Sequence, residues 1–414
     1  MALPLNHNEP TILFCDLNSC FASIEQQANP LLRGKPIVVA AYNSPNGCVV
    51  APSIEAKRYG IKTGMTVRDA RLLYPPVIVR TPDPPKYRAV HLMFRRIFRD
   101  YSPEVVPKSI DEVVIDLTDT LCLYKGSILD LGREIKKRIK KEIGEWLQCS
   151  IGVSTNRFLA KLAASLHKPD GLEVINHTNV LEVYKRVKLL DLNGINTRYQ
   201  ARLNAYGIFT PMEFYEAPMD KLKKQVFQSI LGYYWHIKLR GYEIDAVDFK
   251  RKSFGNGYAL GKQTNDPREL ARLLMKLCEK TGRRLRRAKY SAQGVSVYCV
   301  YPDWSWWHMS RKFDHPLYTT RDIYIKALRL LNSSGYKKTV RNLAVSVYDL
   351  IPSTSEQLEL FASPTHKVAE AMDKINDRWG EFVVIPALMM GMGDIILDRI
   401  SFGGVKELEE IYSD

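Results

Sequence analysis

Residues 109–117 read SIDEVVIDL and place two adjacent carboxylates, Asp111 and Glu112, at the start of an apolar run. Apolar residues flank the pair on both sides, as in a buried β-strand: Val105, Val106, Val113, Val114, Ile115 and Leu117. A carboxylate beside an apolar core is costly unless a cation compensates it, and two neighbouring carboxylates repel each other. The stretch therefore predicts either a cation-binding strand end or a strand end whose carboxylates both face water.

A second apolar run, TILFCDL at residues 11–17, contains a third carboxylate, Asp16, near its end. If the two strands are neighbours in one sheet, Asp16, Asp111 and Glu112 converge at one edge. Oxygen ligands of this kind hold Mg²⁺ together with substrate phosphates. Two such ions about 3.5–4 Å apart can clamp the attacking and leaving oxygens of a phosphoryl transfer. The pattern indicates a phosphoryl-transfer centre.

The rest of the chain divides by its hydrophobic periodicity into segments of different character. Strands and helices interleave over residues 11–185, which predicts an α+β domain with an insertion at about 25–85. RTPDPPKY, at 80–87, contains three prolines and marks a boundary. Residues 187–244 are helical, with a pattern like a helix-hairpin-helix around Gly194 and Gly207, in which Asn196 is expected to tolerate a positive φ. Residues 250–350 predict the order β-α-β-β-α-β.

Positive charge is concentrated in one segment of the chain. The net charge is +15, and residues 250–350 contain 21 Lys and Arg against 7 Asp and Glu. A localised basic field favours nucleic acid as a partner over a merely solvated surface. We predict that two basic stretches, TGRRLRRAKY (281–290) and YKKTVR (336–341), contact DNA phosphates, although the first also fits a solvated helix face. The candidate residues are Arg283, Arg284, Arg286, Arg287, Lys337, Lys338 and Arg341.

The composition excludes several classes of protein. The 414 residues are enough for about two to four domains, and no apolar run is long enough to span a bilayer. The N-terminus, MALPLNHNEP, does not have the pattern of a signal peptide. The seven cysteines are scattered without a C-x-x-C pair, which argues against a zinc site or a disulfide framework. We therefore expect a cytoplasmic protein without a membrane partner.

Three motifs together resemble the Y-family, or translesion, DNA polymerases, with the nearest likeness in the bacterial UmuC-like branch. They are DLNSCF (16–21), SIDE (109–112) and SIGVSTNRFLAKLAASLHKPDG (150–171), and the resemblance covers residues 10 to 365. It implies a right-hand polymerase of α+β class. The implied domains are a palm (1–25 and 86–185), inserted fingers (26–85), a small helical thumb (186–245), a little finger (250–350) and a linker with tail (351–414).

The resemblance also implies roles for individual residues. Asp16, Asp111, Glu112 and the backbone carbonyl of Leu17 would hold two Mg²⁺ ions. Phe21 would be the sugar gate that excludes ribonucleotides, although a core phenylalanine has the same helical spacing. Lys57 and Lys161 would contact the triphosphate, although Lys161 also fits a solvent-facing position.

The resemblance implies primer-template DNA and a deoxynucleotide as partners, with accessory SOS proteins in some UmuC-like complexes. EQLELF, at 356–361, matches the short peptide that binds the bacterial sliding clamp: Gln357 would reach the pocket rim, and Leu358, Leu360 and Phe361 would anchor. An ordinary amphipathic turn is the alternative. We expect a template-directed, low-fidelity polymerase that bypasses damaged bases. A two-metal nuclease or cyclase-like enzyme with a palm, and a catalytically weak DNA-binding relic, are the rival hypotheses.

Overall fold

The computed structural model describes residues 3–245, 251–333, 338–352 and 364–396. These residues fall into two compact units, unit 1 (residues 3–245) and unit 2 (residues 251–396). No helix in the described ranges combines the length and the apolar character that a membrane crossing needs.

Unit 1 contains eight strands and eleven helices among its described residues. The strands are β1 (Ile12–Leu17), β2 (Ile37–Ala40), β3 (Val49–Pro52), β4 (Ile78–Arg80), β5 (Val105–Pro107), β6 (Glu112–Asp116), β7 (Cys149–Ser154) and β8 (Leu172–Val174). The helices are α1 (Cys20–Ala28), α2 (Ile54–Arg58), α3 (Val67–Leu73), α4 (Pro84–Arg99), α5 (Ile128–Arg138), α6 (Arg157–Leu166), α7 (Val180–Arg186), α8 (Thr197–Ala205), α9 (Pro211–Glu216), α10 (Met219–Lys221) and α11 (Leu231–Lys238).

A five-stranded sheet with the order β5-β6-β1-β7-β8 forms the centre of unit 1. Side chains alternate between its two faces, as they do along any strand. Leu13, Cys15 and Leu17 belong to a core that also contains buried residues of α1, α4 and α5. Ile12 and Phe14 lie in a second cluster with Ala160 and Ala164 of α6. The sheet is therefore covered on both faces.

Gly152 lets α6 approach the sheet closely. A methyl group at this position would lie 2.1 Å from the carbonyl oxygen of Ala160 and 2.2 Å from the backbone nitrogen of Ala164. A larger residue would push the helix away from β7. The close packing of α6 matters for function because Lys161, on this helix, reaches the sheet edge.

The segment predicted as an insertion contains a separate three-stranded sheet, β3-β2-β4. Its core includes Val38 and Val49 from the strands and Ala56 and Ala70 from α2 and α3. Ser53 caps the start of α2, because its side chain accepts a hydrogen bond from the backbone N–H of Ala56.

The helices α7 to α11 enclose a third core in unit 1, built around large aromatic residues such as Tyr184, Phe214 and Trp235. Gly194 has φ +97°, a left-handed conformation that suits glycine. Asn196 does not use the positive φ that it was expected to tolerate: its φ is −102°, and its side chain accepts from the Tyr199 N–H at 2.9 Å. Asn196 is there as the N-cap of α8.

Unit 2 has the predicted β-α-β-β-α-β order. Its elements are β9 (Ser253–Thr264), α12 (Pro267–Arg287), β10 (Tyr290–Val300), β11 (Trp306–Leu317), α13 (Thr320–Asn332) and β12 (Val340–Pro352). The antiparallel sheet has the order β11-β10-β12-β9. Val295, Val297 and Cys299 point into the core that α12 and α13 share with the sheet. Alternate residues such as Ser296 and Tyr298 occupy the opposite, outer face, where they are half-buried or exposed.

A further helix, α14 (Pro364–Trp379), belongs to unit 2. We expected residues 351–414 to be a linker and tail, but the described stretch 364–396 packs on the β-α-β-β-α-β fold of unit 2. Met392 and Ile396 lie in the core that contains α12. Arg272 and Lys276 of α12 donate hydrogen bonds to backbone carbonyls of Leu388 and Met392. The stretch therefore forms an additional layer over α12.

Candidate active site

The predicted pairing of the two acidic strands is confirmed. Asp16 of β1 lies directly opposite Glu112 of β6 in an antiparallel register. The backbone N–H of Leu17 donates to the carbonyl oxygen of Asp111 at 2.9 Å. Because opposite residues point to the same face of a sheet, the carboxylates of Asp16 and Glu112 share one face. Like charges in this position destabilise a sheet unless cations compensate them.

Two lysines supply that compensation. The Nζ atom of Lys161 donates to both carboxylate oxygens of Glu112, at 2.7 and 2.8 Å. The Nζ atom of Lys168 donates to Oδ2 of Asp16 at 2.7 Å. Among the described residues no three ligating side chains converge on one point, so the expected three-carboxylate cluster is not preassembled. The oxygens of Asp16 and Glu112 are instead directed to lysine ammonium groups.

The electrostatics of the site nevertheless favour a bound cation. Burial raises the pKa of the Asp16 carboxyl, and the charge of Lys168 opposes that shift. Burial also raises the pKa of Asp111 to about 6; a hydrogen bond from Ser109 opposes the shift, and the negative charges of Asp16 and Glu112 add to it. The donor set consists of carboxylate oxygens that repel one another in a partly dehydrated place. This is the chemistry that a divalent cation requires of its ligands.

A cleft of about 450 Å³ opens beside the carboxylates. Asp16, Leu17 and Asp111 line one part of it. The other lining residues include three cations from two other segments: Lys57, Arg58 and Lys168. Burial, together with the charge of Lys168, lowers the pKa of Lys57. The cleft thus places carboxylates and cations around one space, an arrangement suited to a polyphosphate and its counter-ions.

Sequence reasoning found Lys57 but missed Arg58 and Lys168. Arg58 is adjacent to Lys57, and Lys168 belongs to the SLHKPDG part of the third motif, so both positions were next to or within segments that the sequence had singled out. Lys161 donates to the Glu112 carboxylate and does not line the cleft. Its alternative position, facing solvent alone, is ruled out by that ion pair.

Phe21 lies beneath the cleft and not on its wall. Its side chain is completely buried, and its ring stacks on Tyr87 with centroids 4.6 Å apart and planes 19° apart. The preceding residue, Cys20, lines the cleft. The structure thus places Phe21 in the core under the central sheet of unit 1, as the alternative interpretation had it, and a role as sugar gate stays a prediction.

His91 supports the acidic loop and was missed by sequence reasoning. Its Nδ1 atom lies 2.9 Å from the carbonyl oxygen of Ile110, the residue before Asp111. Burial lowers the pKa of this buried imidazole to about 4, so the ring is neutral at pH 7. Since a carbonyl only accepts, Nδ1 carries the proton and donates. A lone histidine on an amphipathic helix gives no sequence signal for this contact.

The four arginines of α12 that were predicted to bind DNA make hydrogen bonds and ion pairs within the protein. Arg286 makes two hydrogen bonds to Asp373 of α14, at 2.6 and 2.9 Å, and only 4% of its side chain is exposed. Arg283 and Arg287 pair with Asp377 at 2.8 and 2.6 Å. Arg284 donates to the carbonyl oxygen of Gly255 at 2.7 Å. Contact of these four arginines with DNA phosphates stays a prediction, and in this structure α14 and β9 compete for them.

The other predicted DNA contacts lie around the β10–β11 turn or outside the described residues. Lys338 pairs with Asp303 at 2.9 Å. The guanidinium of Arg341 lies over the ring of Trp304, 4.0 Å from its centroid. Lys337 and the predicted clamp peptide, residues 357–361, lie outside the described residues.

Two family models match the chain. The model described as the impB/mucB/samB family matches residues 15–165, and the model of its C-terminal domain matches residues 251–360. The first range contains all three acidic residues, and the second ends before α14 begins.

Curated relatives match over nearly the whole chain. DNA polymerase IV of Pelotomaculum thermopropionicum is 33% identical over 94% of this chain and 97% of its own length. DNA polymerase IV of Moorella thermoacetica is 35% identical, covering 92% and 96%. DNA polymerase IV 1 of Bacillus subtilis is 32% identical, covering 89% and 90%.

Solved structures of polymerases share the fold. A Y-family DNA polymerase chimera, Dbh-Dpo4(243-245)-Dbh, superposes with a TM-score of 0.73 at 26% identity, covering 82% of this chain and 99% of the chimera. An insertion ternary complex of Dbh DNA polymerase gives 0.58 at 25% identity with the same coverage. The acidic strand pair and the fold define a nucleotidyl-transfer enzyme of the polymerase class. The chain belongs to the Y family of DNA polymerases, and its relatives support the bacterial DinB-like branch.

Proposed function

We propose that this Y-family member is a template-directed, low-fidelity DNA polymerase of the translesion type, and that Asp16, Asp111 and Glu112 are its catalytic residues. The observation that carries the residue assignment is the cross-strand register of Asp16 with Glu112, next to the backbone contact between Leu17 and Asp111. Family membership supports addition of deoxynucleotides to a primer along a DNA template.

Divalent metal ions fit the donor set of this site. Two Mg²⁺ ions, held by Asp16, Asp111, Glu112 and the Leu17 carbonyl, would acidify the primer 3′-hydroxyl and neutralise charge on the triphosphate. Lys161 and Lys168 then have a second role, because they neutralise Glu112 and Asp16 when no cation is present. Both side chains are long and partly exposed, at 35% and 39%, so they can move from the carboxylates to substrate phosphates.

The cations of the cleft bind the triphosphate in this proposal. Lys57, Arg58 and Lys168 line the same space as Asp16 and Asp111. Burial and the charge of Lys168 lower the pKa of Lys57. A triphosphate would restore a favourable environment for its positive charge. Phe21 is kept as the proposed sugar gate on the strength of the family motif, since Cys20, and not Phe21, lines the cleft.

We infer that unit 2 grips DNA through the outer face of its sheet and not through α12. The inner face is filled by α12 and α13, whereas the outer face has small or polar residues such as Ser296, Ala344 and Ser346. Small side chains let a phosphate backbone approach closely, and such contacts are independent of sequence. This surface is proposed in addition to the predicted arginine cluster, whose members pair with α14 and β9 in this structure.

We keep the sliding clamp as a proposed partner of Gln357, Leu358, Leu360 and Phe361. The support is the QLELF sequence itself, which lies between the end of β12 and the start of α14. A Leu360→Ala, Phe361→Ala variant should lose clamp binding in a pull-down and keep clamp-free primer extension. Retained binding of the double variant would contradict the proposal.

Primer extension tests the catalytic assignment. Wild type with Mg²⁺ should extend a primed template, and Asp111→Asn, which keeps the side-chain shape, should abolish extension. Asp116→Asn is the matched control, because Asp116 lies at the other end of β6 and accepts hydrogen bonds from Thr118. Extension by Asp111→Asn at the wild-type rate would refute the assignment. DNA cleavage by the wild type would favour the nuclease alternative, and DNA binding without extension would favour the relic.

A further inference from the structure

An exposed row of aromatic side chains crosses the outer face of the unit 2 sheet. We call Tyr298, Trp304, Trp306 and His308 the aromatic strip. Tyr298 of β10 lies opposite His308 of β11, and Trp306 follows two residues along the same face. The rings of Tyr298 and Trp306 are nearly parallel, with centroids 6.0 Å apart and planes 26° apart. Trp304 occupies the turn that joins the two strands.

The aromatic strip leaves much of its ring surface exposed. Trp306 is 64% exposed, Trp304 is 69% exposed and Tyr298 is 36% exposed. The adjacent residue Trp307 points the other way and packs against the core of unit 2. Large aromatic rings left in water are a recognised mark of an interaction surface. The alternation of the strand therefore divides the tryptophan pair into one core residue and one surface residue.

Charge around the strip favours a nucleic-acid partner over a protein partner. The guanidinium of Arg341 lies 4.0 Å from the ring centroid of Trp304. Lys338 lies near the same turn, 5.3 Å from the ring centroid of Tyr301, and also pairs with Asp303. Flat aromatic faces beside cations are the arrangement by which proteins bind single-stranded nucleic acid, because every base presents a π-face for stacking.

We propose that the aromatic strip stacks on unpaired bases of single-stranded DNA. The inference rests on the proposed function, since a template-directed polymerase works where duplex gives way to unpaired template. Trp306 and Tyr298 supply the stacking surface, and Arg341 supplies a positive charge next to Trp304. The strip gives unit 2 a contact with single strands in addition to the contact with duplex phosphates.

Binding measurements on the full chain test the proposal. Trp306→Ala should bind a fluorescent oligo(dT) about 5- to 100-fold more weakly than wild type, the range expected for the loss of one base-stacking side chain. Affinity for a blunt duplex should fall much less, because the other residues of the outer face keep their contacts. The slope of log affinity against log salt should stay unchanged, because the number of phosphate contacts is the same.

Two further variants keep the test informative. Trp306→Phe retains an aromatic face and should keep most of the oligo(dT) affinity, which separates stacking from a folding defect. Trp379→Ala is the matched control, because Trp379 is 68% exposed on α14, outside the sheet. It should bind like wild type. Unchanged oligo(dT) affinity in Trp306→Ala, or an equal loss on blunt duplex, would overturn the proposal.

The outcome is separable from that of the proposed function. If the wild type extends primers and Trp306→Ala binds oligo(dT) as the wild type does, only the proposed role of the aromatic strip is refuted. Absence of extension by wild type would refute the polymerase assignment, while the oligo(dT) measurement would still report on the strip.

Discussion

Substitution of Asp373 by asparagine should destabilise unit 2 strongly. Arg286 is 4% exposed and Asp373 is 18% exposed, and the two side chains form a bidentate pair. Removing one partner of a buried ion pair leaves an uncompensated charge, which typically costs about 3–5 kcal/mol. Asparagine keeps the size of the side chain, so the change isolates the charge. We therefore expect a loss of about 3 kcal/mol or more in the free energy of unfolding.

Asp349→Asn provides the matched control in the same unit. Asp349 pairs with Lys312 at 2.7 Å, but the two side chains are 41% and 67% exposed. Exposed pairs contribute about 0–1 kcal/mol, so this variant should unfold nearly like wild type. Urea unfolding of the full chain, followed by tryptophan fluorescence and circular dichroism, measures both variants. A loss for Asp373→Asn no larger than that for Asp349→Asn would refute the reasoning.

The double variant Arg286→Met, Asp373→Leu extends the test. Replacing both partners of a buried pair with apolar residues removes the unpaired charge, and it is often neutral or stabilising. We expect its stability to return close to that of wild type. A double variant as unstable as Asp373→Asn would show that the helix contact, and not the charge pair, determines the effect.

Three other predictions concern the active site. Asp111→Asn should stabilise the metal-free protein by about 3 kcal/mol at pH 7.5, at about 1.36 kcal/mol per pKa unit, because burial raises the pKa of Asp111 from 3.8 to about 6. The raised pKa of Asp111 favours folding below pH 3.8, and this contribution is lost as the pH rises through 6. The stability gained by Asp111→Asn should therefore shrink to about half at pH 5. Urea unfolding in EDTA measures this gain, and a gain that does not change with pH would contradict the prediction. Phe21→Leu should raise ribonucleotide incorporation about 10-fold, whereas Phe21→Tyr should not. Single-nucleotide primer extension measures this. Equal discrimination between ribonucleotides and deoxynucleotides in both variants would contradict a gate at this position. His91→Ala should lower kcat at least about tenfold with little change in KM for the nucleotide, because the Asp111 loop loses its support. His91→Asn should retain activity. A loss in His91→Asn as large as that in His91→Ala would argue against the Nδ1 contact.

The acidic site was largely readable from sequence because its geometry follows from local patterns. The apolar runs around Asp16 and Asp111 identify two buried strands, and burial of alternating side chains restricts how such strands can pair. The β-α-β-β-α-β order of unit 2 was readable for the same reason. Its helices and strands differ in hydrophobic period and are separated by clear turn signals.

The pairing partners of individual polar side chains could not be predicted from the sequence, because those partners lie far along the chain. Arg286 and Asp373 are 87 residues apart, and nothing in RRLRR indicates which helix will cover it. Lys168 and Asp16 are 152 residues apart. Periodicity tells which side of a helix is polar, but an exposed cation and a cation in a buried pair have the same local sequence.

By itself, then, the sequence determined the elements, the fold class, the family resemblance and the two strands that bring the carboxylates together. Hydrophobic period and strand burial are local properties, so they can be read residue by residue. Only the tertiary structure decided that α14 takes the arginines of α12, that Phe21 is in the core and that Trp306 faces outward while Trp307 does not. Those outcomes depend on which surfaces meet across long stretches of chain, and packing and charge pairing select them only when the whole chain is folded.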